Sequence, residues 1–310
     1  MKFGKVPENE LNTVDFSLPP EPAGNIKVLG GVRNSQLAIR MGCPQWGVPG
    51  WIGKIYPPKA KEKDFLANYV QHYNCIELNA THYKIYDSTA IGKWAEKANG
   101  RDFLFCPKMF QGVTHLGSLA GKEGMIREFM QGIKAFGQHL GPLFIQLSDS
   151  FGPNRKEELF TFLKALPKEA TFFLEVRHPD WFAQEAIRKE FFNTLYLNKI
   201  GAVITDTAGR RDCAHMYLTI PKAFVRFVAN SLHATDYSRL DRWLERIKNW
   251  IDNGLQELYF FVHMPDELYS PELIVYLTDK LNAACGLQLN KPVFIDQGSH
   301  KTGSQITFFD

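Results

Sequence analysis

The 310-residue chain lacks most of the short signatures that announce a chemistry. It has no G-x-x-x-x-G-K-[ST] loop, no G-x-G-x-x-G after its first apolar run, no H-E-x-x-H and no G-x-S-x-G elbow. Nothing therefore points to nucleoside triphosphates, dinucleotides, zinc proteolysis or an α/β-hydrolase nucleophile. Its five cysteines (Cys43, Cys75, Cys106, Cys213 and Cys285) are odd in number, widely separated and never spaced C-x-x-C. That pattern argues against a zinc knuckle or a disulfide framework and predicts reduced, mostly structural thiols. No apolar run reaches the roughly 18 residues of a membrane span, and MKFGKVPENELNTVDFSLPPEP has neither the apolar core nor the cleavage site of a secretory signal. A cytoplasmic protein is expected. Charge of one sign is also lacking: 36 Lys and Arg against 33 Asp and Glu give a net +3 with no like-charged block, too little to predict a polyanionic partner.

What is present has a rhythm. The composition is 45% hydrophobic and 22% charged, as in globular chains. After a polar extension over residues 1–36, eight short apolar runs recur about every 30 residues, the length of a βα unit. They are LAIRMGC from Leu37, CIELNA from Cys75, FLFCPKM from Phe103, PLFIQLS from Pro142, TFFLEVR from Thr171, GAVITD from Gly201, AFVRFVA from Ala223 and LYFFVHM from Leu258. Amphipathic segments separate them; Leu240, Trp243, Leu244, Ile247, Trp250 and Ile251 keep helical spacing without a break. Near-continuous apolar strands with crossover helices predict a parallel sheet covered on both faces. Eight units over residues 37–285 predict a single α/β domain, a closed (β/α)8 TIM barrel, with a tail over 286–310 and a doubly wound sheet as the alternative. The segment TAGRRDCAHMYLTIPK leaves room for only a short or distorted helix between the sixth and seventh strands.

Polar residues gather toward the carboxyl ends of these strands, where barrel enzymes build their sites. Glu77 and Asn79 share a face of the second strand, Lys108 closes the third, Gln146 lies on the fourth, and Glu175 and Arg177 share a face of the fifth. Asp206 ends the sixth, Arg226 interrupts the seventh and His263 ends the eighth. Each could be half of a structural ion pair, because a buried charge must find a partner. Three carboxylates (Glu77, Glu175, Asp206) and three cations (Lys108, Arg177, Arg226) at one end favour instead a ligand-binding mouth. His178 and His115 suit proton transfer, whereas most tryptophans are expected to be packing anchors, with Trp46 and Trp181 able to wall a pocket.

The succession WIGKIYPP, CIELNATHY, FLFCPKM followed by VTH, LGPLFIQL and LEVRHPDW resembles the domain of unknown function 72 family, also called YecE-like proteins. The likeness runs over roughly residues 40–265 and carries Trp51, Tyr56, Glu77, Asn79, Lys108, Thr114, His115, Gln146, Glu175, Arg177, His178 and Trp181. It implies a TIM barrel and brings no established substrate or reaction. The chain departs from the pattern at SDSFGP, VRFVANS and VHMPDE, and residues 1–36 have no counterpart in it.

Three functions compete. The first is an enzyme with Glu175, His178 and Glu77 as catalytic groups, in which Lys108, Arg177 and Arg226 hold a phosphorylated or carboxylated small molecule. Asn79, His115, Gln146, Asp206, His263, Trp46 and Trp181 line its site. The second is a metal-dependent hydrolase or isomerase with Glu77, Glu175, Asp206 and His263 as ligands, disfavoured by the nearby cations. The third, also not favoured, is a non-catalytic module binding nucleic acid or protein through Trp46, Trp51, Tyr56, Lys54 and Lys59. The sequence assigns no cofactor and no oligomeric state.

Overall fold

Side-chain parity along eight parallel strands positions everything of interest in this protein. The computed structural model describes residues 4–295, and the strands fall within the eight apolar runs, except that β7 and β8 each start one residue earlier: β1 Ala38–Gly42, β2 Cys75–Leu78, β3 Leu104–Pro107, β4 Leu143–Gln146, β5 Phe172–Glu175, β6 Gly201–Asp206, β7 Lys222–Val228 and β8 Glu257–His263. All pairings are parallel. Neighbours follow chain order, without the reversal of a doubly wound sheet.

The expected continuous eight-strand ladder is not formed. The strands hydrogen-bond as a six-stranded sheet, β1-β8-β7-β6-β5-β4, and a two-stranded one, β2-β3. Side chains occupy the first gap: Asn74 accepts from the Met41 amide at 2.7 Å and donates to the Ile39 carbonyl at 2.8 Å, while the Tyr69 hydroxyl accepts from Cys43 N–H and donates to the Cys75 carbonyl. Gly42 is required there, since a Cβ would lie 2.0 Å from the Cys75 oxygen. Across the second gap the main chain makes only isolated bonds, Gly141 N–H to Phe105 C=O and Met109 N–H to Phe144 C=O.

Alternate residues of the strands form two cores. Outward residues such as Ile76, Leu78, Phe105, Ile145, Leu174, Ile204, Val225 and Phe260 pack beneath the helices. Inward residues Cys75, Cys106, Phe144, Phe173, Val203, Phe224, Tyr259 and Phe261 form a separate buried cluster. Two positions further along each strand, and so on the same inner face, stand Glu77, Lys108, Gln146, Glu175, Thr205, Arg226 and His263. A polar layer thus rests on an aromatic one.

Between β6 and β7 the chain forms only the 3-10 turn Arg211–Cys213, as its length predicts. The N-terminal extension runs along this stretch and down the helix Ala234–Asp252. Leu11 and Phe16 cluster with Ala208, Arg211 donates to the Ser17 carbonyl, Glu21 meets Arg246 and Trp250, and Asn25 bonds both Met216 and Leu218. No helix among the described residues is long and apolar enough to cross a membrane.

Candidate functional site

Arg226 organises the polar layer. It is fully buried, and its guanidinium grips Glu77 through two bonds, Nε to Oε2 at 2.9 Å and Nη2 to Oε1 at 3.0 Å. Nη1 donates to both oxygens of Glu175, at 3.3 and 3.1 Å. The remaining carboxylate capacity is also used: His263 Nε2 and Asn79 Nδ2 donate to Glu77, while Arg177 and the Thr205 hydroxyl donate to Glu175. Because Glu77 is an acceptor, His263 carries its proton on Nε2. Burial alone would raise both carboxyls, but Arg226 and His263 hold Glu77 well below the usual range, and Arg177 and Arg226 pull Glu175 down to about 2.

Lys108 is treated differently. Its Nζ donates to the Gln146 side-chain oxygen at 2.9 Å and stands 5.5 Å above the Phe144 ring, and no described carboxylate lies within ion-pair distance. Burial, then the positive charge of Arg226, lowers its pKa to about 8. Across the buried layer, three cations (Lys108, Arg177, Arg226) lie with two carboxylates (Glu77, Glu175), and at the rim the exposed Asp149 stands 3.9 Å from Arg177.

Above this layer opens a cavity of about 510 Å³, bordered by Asn79, His82, Lys108, Gln146, Arg177 and Glu267 among others. The one-turn helix Ala80–Tyr83 that follows β2 brings in His82, whose Nδ1 lies 2.8 Å from the Met109 carbonyl. A carbonyl only accepts, so Nδ1 carries the proton and Nε2 keeps a lone pair. Burial and the Lys108 charge lower His82 to about 4, leaving the ring neutral near pH 7. His115 stacks edge-on against it at 4.9 Å, its own pKa lowered by burial, Lys108 and Arg177. Glu267, in a left-handed conformation after β8, accepts from Met264 N–H and Ser270 Oγ, and burial raises its carboxyl to about 8. A second cavity, of about 590 Å³, reaches the same His263–Pro265 segment from the other side and takes one wall from Gly4–Glu8 of the extension.

The predicted residues divide clearly. Glu77, Asn79, Lys108, Gln146, Glu175, Arg177, Arg226 and His263 come together, with His115 adjoining them. Asp206 does not join them. Strand parity turns Thr205 inward and Asp206 outward, where Asp206 accepts from Trp243 Nε1 at 2.8 Å and pairs with Arg239 and Arg211. Its carboxyl, which burial would raise, is lowered by those arginines. Trp181 is fully buried, donates to the Phe151 carbonyl and packs on Phe191. Trp46 packs against Trp94, away from the lining of the cavity, and His178 turns toward Asp180 near the surface. In the first loop, Trp51 and Tyr56 are fully buried and Lys54 is paired with Glu272, so those two rings present no exposed face for base stacking. Among the described residues no group of three or more His, Cys, Asp or Glu converges as a metal site, and guanidinium donors already fill Glu77 and Glu175. The sequence reading missed His82, Glu267 and Thr205. His82 stood in the quoted CIELNATHY, and Thr205 follows from parity with Val203; Glu267 has no local signal.

A family model described as "Protein of unknown function DUF72" matches residues 40–293. The chain belongs to the DUF72 family. The UPF0759 protein YecE of Escherichia coli is 28% identical over 261 residues, spanning 78% of this chain and 92% of that protein. YunF of Bacillus subtilis is 36% identical over 70 residues, covering 22% of this chain and 24% of its own length. Crystal structures of DUF72 family proteins share the fold. The one from Enterococcus faecalis superposes with a TM-score of 0.64 at 17% identity, covering 80% of this chain and 99% of that one. For the one from Thermotoga maritima the values are 0.58, 22%, 78% and 98%. The extension that walls the second cavity lies outside the segment matched to the DUF72 model.

Proposed function

We propose that this DUF72 protein is an enzyme acting on a small carboxylated or phosphorylated molecule held in the cavity at the carboxyl ends of the strands. The observation that carries the reading is Lys108, a buried cation bordering the cavity whose hydrogen-bond partner is the neutral Gln146 side chain and not a carboxylate. In a water-poor site such a cation attracts an anionic ligand group far more strongly than it would in bulk solvent. Arg177 and Lys108, both bordering the cavity, are the contacts for that group. Arg226, sealed between Glu77 and Glu175, acts by holding the layer in place. Lys108, lowered to about 8, is the group suited to moving a proton near neutral pH. On this reading Glu175 and Glu77 are positioning residues, because every direction from which they could take a proton is occupied by a donor.

The test is calorimetric titration with a panel of small carboxylates and phosphates. At least one should bind, and Arg177→Gln or Lys108→Met should weaken it about tenfold or more, the worth of one charge-assisted hydrogen bond. Absence of binding across the panel, or affinity indifferent to both substitutions, would overturn the reading.

A further inference from the structure

We infer that Lys108 is a nucleophile that forms an imine with a carbonyl-bearing anion, a 2-oxo acid or a phosphorylated ketone, within the anion site proposed above. The inference rests on that reading and deepens it. An amine meant only to hold an anion is best kept fully charged beside a carboxylate. Lys108 has the opposite surroundings: a neutral acceptor in Gln146, an aromatic ring beneath it and guanidinium groups beside it. Glu77 and Glu175, the carboxylates closest in role, are committed to Arg226 and Arg177. Desolvation and neighbouring cations are the two influences that turn a lysine into a free amine at working pH. Each unit of pKa is tenfold in amine concentration, so a fall from 10.5 to about 8 enriches the reactive form by two to three orders of magnitude.

The rest of the cavity suits the reaction. With the anionic group of the ligand on Arg177, its carbonyl carbon lies in the same cavity that the Lys108 amine borders. The nitrogen lone pair forms the C–N bond while the C=O π pair moves to oxygen, which takes up a proton to give a carbinolamine. Loss of the nitrogen proton and departure of the hydroxyl as water complete the C=N bond, so amine plus carbonyl gives imine plus one water with no change of oxidation state. The proton given up by nitrogen passes to solvent or to His82 Nε2, which is unprotonated and borders the same cavity.

Reductive trapping tests this on the intact protein. Pyruvate and dihydroxyacetone phosphate serve as probes, borohydride supplies hydride to the imine carbon, and peptide mapping locates the resulting secondary amine. Lys108 should be labelled at least about tenfold faster than exposed lysines such as Lys59, since its own pKa is lowered to about 8. The rate should climb with pH and level off above about 8, the charged and titratable groups facing Lys108 being Glu77 from β2, Glu175 from β5 and Arg177 just beyond it, Arg226 from β7 and the imidazoles of His82 and His115. Lys108→Arg, which keeps the charge, should abolish site-specific labelling. Labelling of Lys108 no faster than of surface lysines, with both probes, would overturn the inference. Calorimetry of the same probes without reductant separates the two readings: binding without trapping removes the imine and leaves the anion site standing, whereas no binding removes both.

Discussion

Two arginines in this protein are fully buried, and each lies between two carboxylates. Arg226 joins Glu77 and Glu175 on the inner face of the strands; Arg239, on the helix Ala234–Asp252, joins Asp206 and Asp236 on the outer side. The outer cluster is closed. Arg239 and Arg211 balance two aspartates, Trp243 and Asn230 supply further donors, and the rings of Phe16 and Phe227 lie 4.7 and 4.2 Å from the Arg239 guanidinium. The inner cluster holds Lys108, which donates to Gln146 instead of a carboxylate, and opens on a cavity. A buried ion cluster is therefore no mark of a ligand site by itself; a cation without a carboxylate partner together with an open side is what distinguishes one. The closed cluster also fastens the N-terminal extension, since Phe16 belongs to it.

Removing the arginines should break the comparison most sharply. Arg239→Met and Arg226→Met each strand two buried carboxylates and should each lower unfolding free energy by about 3–5 kcal/mol in urea titrations. Their effects on anion affinity should diverge: unchanged for Arg239→Met, and weakened for Arg226→Met because the layer that orients Arg177 and Lys108 loosens. Equal loss of affinity in both variants would erase the distinction between the clusters.

Much of this division was readable from residue order. The eight apolar runs contain the eight strands to within a residue because continuous apolar character is what a doubly covered parallel strand requires. Glu77, Lys108, Gln146, Glu175, Arg226 and His263 could be gathered because each is two residues beyond an inward apolar position, and period two carries them to one face. Asp206 was grouped with them by proximity to a strand end, and parity sends it the other way. Its partners could not be read off, since Arg239 and Trp243 are 33 and 37 residues away on a helix whose rotation is set by packing. The interruption of the ladder was equally hidden: that the Asn74 side chain would replace main-chain pairing between β1 and β2 depends on how closely Gly42 approaches Cys75.

Acid should sharpen the comparison by a smaller amount. Glu175 has its folded pKa depressed from 4.5 to about 2, so its contribution is complete above 4.5 and disappears as pH falls through 2, on the order of 2–3 kcal/mol. Asp236 is shifted the other way, raised by burial despite Arg239, and costs stability as pH rises through its folded pKa. Stability measured between pH 2 and 5 should therefore lose slope in Glu175→Gln and lose none in Asp236→Asn. A flattened profile in Asp236→Asn would mean that Asp236, like its neighbour Asp206, is a depressed carboxylate.

The smallest effect is expected at His178, which follows Arg177 in the chain yet belongs to neither cluster. Its ring is partly exposed, accepts from the Asp180 amide at 3.3 Å and lies 3.6 Å from the Asp180 carboxylate, itself largely in solvent. Exposed pairs of this kind contribute little, so His178→Ala should change unfolding free energy by less than about 0.5 kcal/mol. Arg177, one residue earlier, has the inward parity that His178 lacks, and the ring does not border the cavity. Anion affinity and Lys108 trapping should accordingly match those of the unsubstituted protein. A loss of either in His178→Ala would mean that the fifth strand delivers two groups to the ligand, and that the inner cluster extends past the end of its strand.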